Sequence, residues 1–338
     1  MQSLPLEVKI RKSKQRISEW IEEFGEDGVY VSFSGGKDST VLMDLVRSDY
    51  PNVEAVFVNT GLEYPSVRKF AESKDNVTVI RPKMNFREVI INYGYPVISK
   101  EVSLFIHEMQ MPQTEKNYNT RNLRLKGIRS DGTKANNGKI PDKYMFLIKA
   151  PFKISNQCCN MMKKKPAKLF EKENGKKPFI GTMADESRVR ERQWLKNGCN
   201  AFNIKNPASC PISFWTENDV LTYIHEKNIP IAEAYGEVVV KGSECGQISI
   251  ANMLSDYREC QFCTTGRSRT GCVFCMFGIV QDLKRFVQLK EMEPKLYSYV
   301  MRGGEWNEQG MWQPNENGLG YKFVIDWLNE NGNLQIEY

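Results

Sequence analysis

Apolar residues recur at helical spacing near the start of the chain: Ile10, Ile17, Trp20, Ile21 and Phe24, with Lys9, Arg11, Lys12 and Arg16 left for the solvent face. The period then changes. Val29–Phe33, Val53–Val58 and Val77–Arg81 read as short buried strands, Phe179–Thr182 reads as a fourth, and helix-length stretches separate the first three. Buried strands alternating with helices predict an α/β fold built on a doubly wound, mostly parallel sheet. Thr216 opens a further helix, TENDVLTYIHEK, with Asp219 placed for a capping box and Val220, Leu221 and Ile224 on one face. Segment 111–143 breaks the order. It is rich in Asn, Gly and Lys without a sustained period, which predicts a long surface loop or insertion. Two regions are expected: an α/β domain over 1–240 carrying that insertion, and a cysteine-rich, mainly helical region over 241–338.

Composition adds class and compartment. The chain has 338 residues, 41% apolar and 26% charged, which suits a large α/β domain with a smaller appendage. No run reaches the ~18 apolar residues of a membrane span. The opening MQSLPLEVKIRKSKQR lacks the apolar core of a signal peptide, so a cytoplasmic location is expected. In that reducing compartment nine cysteines point to metal or redox chemistry rather than to disulfides. Segment 111–143 holds eight Lys and Arg against three acids, an excess nearly equal to the net charge of +6 on the whole chain. A nucleic-acid partner, tRNA or DNA, is the functional expectation for it, and a solvated insertion is the alternative.

The sharpest chemistry lies in VYVSFSGGKDSTVLMDLV, which reads as strand, tight turn and helix. Gly35 and Gly36 permit backbone angles that let successive N–H groups face one anion. The helix after Asp38 adds its positive end, Lys37 adds a mobile charge, and Ser34 and Ser39 add hydroxyls. The spacing is not that of a Walker A loop. An adenine nucleotide, ATP first, is the expected ligand.

This loop resembles the PP-loop of the N-type ATP pyrophosphatases, and the chain is similar to the phosphoadenosine-phosphosulfate (PAPS) reductase family. VNTGLEYP resembles the family's segment after strand two, GTMADESRVRER its Gly…Glu-Ser…Arg segment, and SCPISFWTENDVLTYIHEKNIPI its Pro-Leu-x-x-Trp-Thr helix. The resemblance implies nucleotide contacts from Ser34, Gly35, Gly36, Lys37, Asp38, Ser39, Asn59, Thr60, Gly61, Glu63, Glu186, Arg188 and Arg192, with Lys37, Asp38 and Arg188 catalytic. Asn59 stands where the family usually has an acid, so Asp38 or Glu63 would have to help hold the Mg²⁺ of ATP.

Cys260, Cys263, Cys272 and Cys275 form two CxxC pairs, each able to put two thiolates on one metal. Spacing alone favours zinc slightly. The resemblance favours a [4Fe–4S] cluster, because Cys158–Cys159 followed by KKKP, with TGCVFC later, is similar to the cluster-bearing adenylylsulfate reductases. Six cysteines then compete for four positions, with Cys272 and Cys275 ligands in either scheme. Cys199, Cys210 and Cys245 read as small buried side chains, and sulfur acceptor is the alternative role for any of them. His107 and His225 read as helix residues without a catalytic partner.

Reductases of this family carry a nucleophilic cysteine in a Glu-Cys-Gly-Leu-His stretch, and here no cysteine follows Cys275. Together with the intact Lys37–Asp38, this shifts the expectation to ATP cleavage, adenylation of an acceptor and sulfur transfer from a donor protein. A sulfonucleotide reductase releasing sulfite is the second reading. A non-catalytic, nucleotide-binding or redox-sensing partner in a complex is the third.

Overall fold

The computed structural model describes residues 1–241 and 261–338, so Cys245 and Cys260 lie outside the described residues. In chain order the first elements are α1 (Leu6–Phe24), β1 (Val29–Phe33), α2 (Lys37–Arg47), β2 (Ala55–Val58), α3 (Pro65–Glu72), β3 (Val77–Ile80), α4 (Phe86–Tyr93), β4 (Val97–Ile98) and α5 (Lys100–Gln110). There follow α6 (Tyr118–Lys126), α7 (Lys165–Asn174), β5 (Lys177–Ile180), α8 (Arg188–Asn197), β6 (Asn200–Ala201), β7 (Ala208–Ser209), α9 (Glu217–Lys227), β8 (Val238–Val240), β9 (Phe262–Thr264) and β10 (Met276–Phe277). Two compact units interleave along the chain rather than changing once near residue 240. The first comprises Met1–Asn59, Glu63–Arg81 and Pro166–Gly271, the second Thr60–Leu62, Pro82–Lys165 and Cys272–Tyr338.

The first unit holds a six-stranded sheet ordered β3-β2-β1-β5-β7-β6. All its pairs are parallel except β6 with β7. Beyond β1 the order turns back, with β2 and β3 on one side and β5 on the other. The carboxyl ends of the strands at such a switch point are where open α/β sheets bind ligands. α1 and α2 bury Ile17, Trp20, Leu42, Leu45 and Val46 in the sheet's core with Phe57, Phe179 and Trp215. Each large side chain fully buried contributes about 1.5–3 kcal/mol, which fixes the turn between β1 and α2 on a rigid base.

α9 forms as expected. Thr216 accepts a bond from the Asp219 N–H while the Asp219 carboxylate accepts from the Thr216 N–H, and Val220, Leu221 and Ile224 are buried. Lys9 departs from expectation. Assigned to solvent by its helical position, it is 2% exposed and pairs with Asp219 at 2.6 Å. The ammonium is tolerated there because a carboxylate already oriented by Thr216 receives it.

In the second unit β4 and β10 pair in parallel, Val97 opposite Met276 and Ile98 opposite Phe277. Tyr95, Phe152, Tyr321 and Trp327 pack ring to ring. Helices Arg285–Met292, Pro294–Met301 and Tyr321–Gly332 follow, with a small hairpin pairing Glu305–Trp306 to Trp312–Gln313. Segment 111–143, expected as a long surface loop or insertion, carries regular structure of its own. It contains α6, and two of its cations work inside the fold. Arg121 Nη1 donates to the carbonyls of Met109 and Met111, each at 2.9 Å, closing the exposed end of α5. Arg124 pairs with Glu108, donates to the Gly138 carbonyl and stacks over Phe105. Among the described residues no helix is long and apolar enough to cross a membrane.

Candidate functional site

The turn from β1 to α2 is tightly self-bonded. The Ser34 N–H donates to Ser39 Oγ at 3.1 Å, the two serine oxygens lie 3.0 Å apart, and Ser39 Oγ donates to the Gly36 carbonyl at 2.9 Å. Gly35 has φ +72°, and a Cβ on it would stand 2.9 Å from the Val67 side chain and carbonyl. Both conformation and space therefore demand glycine.

Lys37 is buried at the head of α2. Its Nζ lies 3.1 Å from Glu217 Oε1, 3.6 Å from Asp38 Oδ1, and donates to the Ser268 carbonyl at 3.1 Å. Burial alone would lower its pKa, but the Asp38 and Glu217 carboxylates outweigh it and hold the ammonium above its ordinary value. Burial pushes the Asp38 carboxyl up against the pull of Lys37, and Glu186 and Glu217 add to the rise. The Lys37 N–H donates to Tyr235 Oη, which is 2.7 Å from Thr270 Oγ1. Sequence reasoning missed Glu217, Tyr235, Ser268 and Thr270. Glu217 was within reach of it as the first residue of a capped helix; the other three arrive from distant segments and carry no local signal.

The other residues expected to touch a nucleotide lie on separate segments. Asn59 ends β2, buried, with Nδ2 donating to Glu72 at 2.9 Å. Glu63 belongs to the same unit, while Thr60 and Gly61 belong to the second, where Thr60 Oγ1 accepts from the Leu62 N–H at 3.1 Å. Arg188 and Arg192 stand exposed on α8, and Arg190 between them pairs with Glu186.

The cysteines divide. Cys263 sits on β9 opposite Val239 of β8, in the first unit. In the second unit Cys158, Cys159, Cys272 and Cys275 line one pocket with Leu62, Phe86, Pro96, Met162, Lys163 and Phe274. Cys158 and Cys159 lead into a π-helical turn, Asn160–Lys164, a wide coil often found where a helix serves a site. Their sulfurs are 3.9 Å apart, and a hydrogen bond from Cys158 holds the Cys159 thiol below its usual pKa with Lys100 and Lys163 nearby. Burial and the neighbouring Cys272 push Cys275 up to about 11. Arg285 donates to the carbonyls of Cys275 and Phe277, pinning the second CxxC against β10. Among the described residues no three Cys, His, Asp or Glu side chains converge closely enough to grip one metal ion.

The model of the phosphoadenosine phosphosulfate reductase domain matches residues 28–141 and 102–275. The adenosine 5'-phosphosulfate reductase of Staphylococcus epidermidis is 26% identical over 227 residues, 67% of this chain and 72% of that protein. The enzyme of the same name from Staphylococcus haemolyticus is 27% identical over 221 residues, 65% of this chain and 70% of that one. Phosphoadenylyl-sulfate reductase from Candida auris, solved as a phosphate complex, aligns with TM-score 0.36 at 16% identity, over 66% of this chain and 82% of that chain. The chain belongs to the phosphoadenosine phosphosulfate reductase domain family.

Proposed function

We propose that the chain is a sulfonucleotide reductase, which binds an adenylyl sulfate at the Ser34–Ser39 loop and releases its sulfur as sulfite. The observation that carries the reading is the gathering of Cys158, Cys159, Cys272 and Cys275 about one pocket. It is supported by relatives named adenosine 5'-phosphosulfate reductase that align over about two thirds of the chain. The same four cysteines would hold a [4Fe–4S] cluster. A lone zinc needs its sulfurs about 2.3 Å from a single point. The quartet rims one pocket, and the tandem Cys158–Cys159 followed by a later CxxC, as in the cluster-bearing adenylylsulfate reductases it resembles, favours the polynuclear cluster. When bound, a cluster neutralises the thiolates and places a redox-capable charge beside them. Arg285 holds the second CxxC through the Cys275 carbonyl, and Lys163 places a positive charge in the pocket wall.

A second reading is favoured by the intact Lys37–Asp38 pair. A buried lysine at a helix head, flanked by carboxylates, suits the charge that develops when pyrophosphate leaves ATP. In that case the chain adenylates an acceptor, with Mg²⁺ carried on the ATP phosphates, and transfers sulfur from a donor protein. The two are separated by incubating anaerobically purified protein with adenosine 5'-phosphosulfate and a thiol, or with ATP and Mg²⁺. Sulfite from the first and no pyrophosphate from the second is the expected result. Pyrophosphate without sulfite would replace the first reading by the second.

A further inference from the structure

Cys199 and Cys210 face one another at the edge of the main sheet. β6 and β7 run antiparallel with Asn200 opposite Ser209 and Ala201 opposite Ala208. The same register carried one residue on sets Cys199 opposite Cys210, and the Cys210 N–H donates to the Cys199 carbonyl at 2.7 Å. Directly opposed residues of an antiparallel pair share a face, with Cα atoms about 4.5–5.5 Å apart. A disulfide spans Cα distances of about 4.4–6.8 Å, so these two thiols can join with little movement of the backbone.

The two are not equivalent. Cys199 is buried, its sulfur 3.2 Å from Ser213 Oγ. Cys210 is half-buried and accepts from Thr182 Oγ1 at 3.5 Å; burial holds its thiol above the ordinary value against the smaller pull of Thr182 and Arg190. Cys210 also follows the carboxyl end of β7, beside β5, on the edge where the nucleotide loop leaves β1. Gly181, next to Thr182, packs on that loop: a methyl group there would stand 3.1 Å from the Asp38 carbonyl oxygen and 3.2 Å from Ser39 Cα.

We propose that Cys210 and Cys199 form a redox-active dithiol serving the nucleotide site, Cys210 attacking and Cys199 resolving. The proposal rests on the reductase reading. The Cys210 thiolate attacks the sulfur of the adenylyl sulfate, the bond from that sulfur to the bridging phosphate oxygen breaks, and AMP leaves. The Cys199 thiolate then attacks Cys210 Sγ, forming the disulfide and expelling sulfite. Two thiols lose their protons and one electron each, which together reduce the sulfur, and a small thiol of the glutathione class reopens the pair.

The test is a single turnover of reduced, thiol-free protein with adenosine 5'-phosphosulfate, followed by non-reducing peptide mapping. Wild type should give one sulfite per chain and a Cys199–Cys210 disulfide. Cys199→Ser should stop at an S-sulfonate on Cys210. Cys210→Ser and Cys210→Ala should give neither product while binding AMP as wild type does. Undiminished sulfite from the Cys210 variants would overturn the proposal and leave the reductase reading standing. No sulfite from wild type would instead remove that reading, and wild type treated with oxidised glutathione would then decide the pair alone. A Cys199–Cys210 peptide that dithiothreitol reopens supports the couple; two unlinked thiols overturn it.

Discussion

Lys37 Nζ lies 3.1 Å from Glu217 Oε1, so the protein itself neutralises the loop's one lysine. The Ser268 carbonyl takes a further donor position on the same nitrogen. An incoming phosphate must compete for this ammonium. Glu217 thereby sets the charge the loop offers.

Glu217→Gln is therefore expected to tighten binding of adenosine 5'-phosphosulfate or ATP. The Glu217 side chain is 45% exposed, so the pair is screened. Its contribution stays within about 1 kcal/mol, at most a fivefold gain in affinity. Isothermal titration of the two proteins checks the sign, and weaker binding by the variant would mean that Glu217 holds the loop together rather than competing with the ligand.

Lys37→Ala should act in the opposite direction. Loss of a charge-assisted bond to phosphate costs about 1.5–3 kcal/mol, between one and two orders of magnitude in affinity. Unchanged nucleotide affinity would show that the loop is not the phosphate site.

Much of the sheet and loop was legible in the sequence because both depend on short-range patterns. β1 spans Val29–Phe33 as its β-branched run predicts, and α9 begins at its capping box. Other features depend on partners far along the chain. The two-residue strands β6 and β7 are defined by pairing rather than by any apolar run. α6 was hidden because its cations Arg121 and Arg124 look like a solvated charge run until Glu108 and the end of α5 are beside them. Lys9 was misjudged for the same reason. Six cysteines competed for four positions on spacing alone, since spacing does not say which pairs meet. Only three-dimensional placement separates Cys263 on β9 from the four around the pocket.

Metal content follows that separation. Protein isolated without air is expected to carry about four iron atoms per chain, as one cubane cluster requires. Cys272→Ala and Cys275→Ala should each lose the iron, and Cys263→Ala should keep it. Iron and acid-labile sulfide analysis of the three variants is sufficient, and loss of iron in Cys263→Ala alone would move the site to the other CxxC.

Reduction through Cys210 should climb with pH. Burial pushes both Cys210 and Cys199 above the ordinary thiol value. At neutral pH each is thus mostly thiol, and the reactive thiolate grows about tenfold per pH unit below its pKa. A thiol with a raised folded-state pKa supports the fold at low pH and loses that support as pH rises through the folded value. The rate must accordingly be followed only while circular dichroism shows the chain folded. Single-turnover sulfite release that is flat between pH 7 and pH 9 would speak for an attacking group other than Cys210.

The cations of the basic segment 111–143 fall into two groups. Arg121 and Arg124 are occupied by backbone carbonyls and Glu108, whereas Lys116, Lys126, Arg129 and Lys134 are exposed; Lys139 and Lys143 are exposed too, but engaged by Asp142 and the Tyr144 ring. Replacing Arg124 by Ala should cost about 2 kcal/mol of stability, because it removes an ion pair, a carbonyl bond and a ring interaction at once. Replacing Lys116, Lys126, Arg129 and Lys134 together should leave stability within about 0.5 kcal/mol per site. If this segment grips a phosphate backbone, those four supply the grip. The slope of log affinity against log salt for duplex DNA or tRNA should then become shallower by about 0.7–0.9 for each phosphate that is no longer neutralised. Nucleotide affinity at the Ser34–Ser39 loop should not change. Superimposable salt titrations for wild type and the fourfold variant would return these residues to the role of a solvated surface and place any nucleic-acid binding elsewhere on the chain.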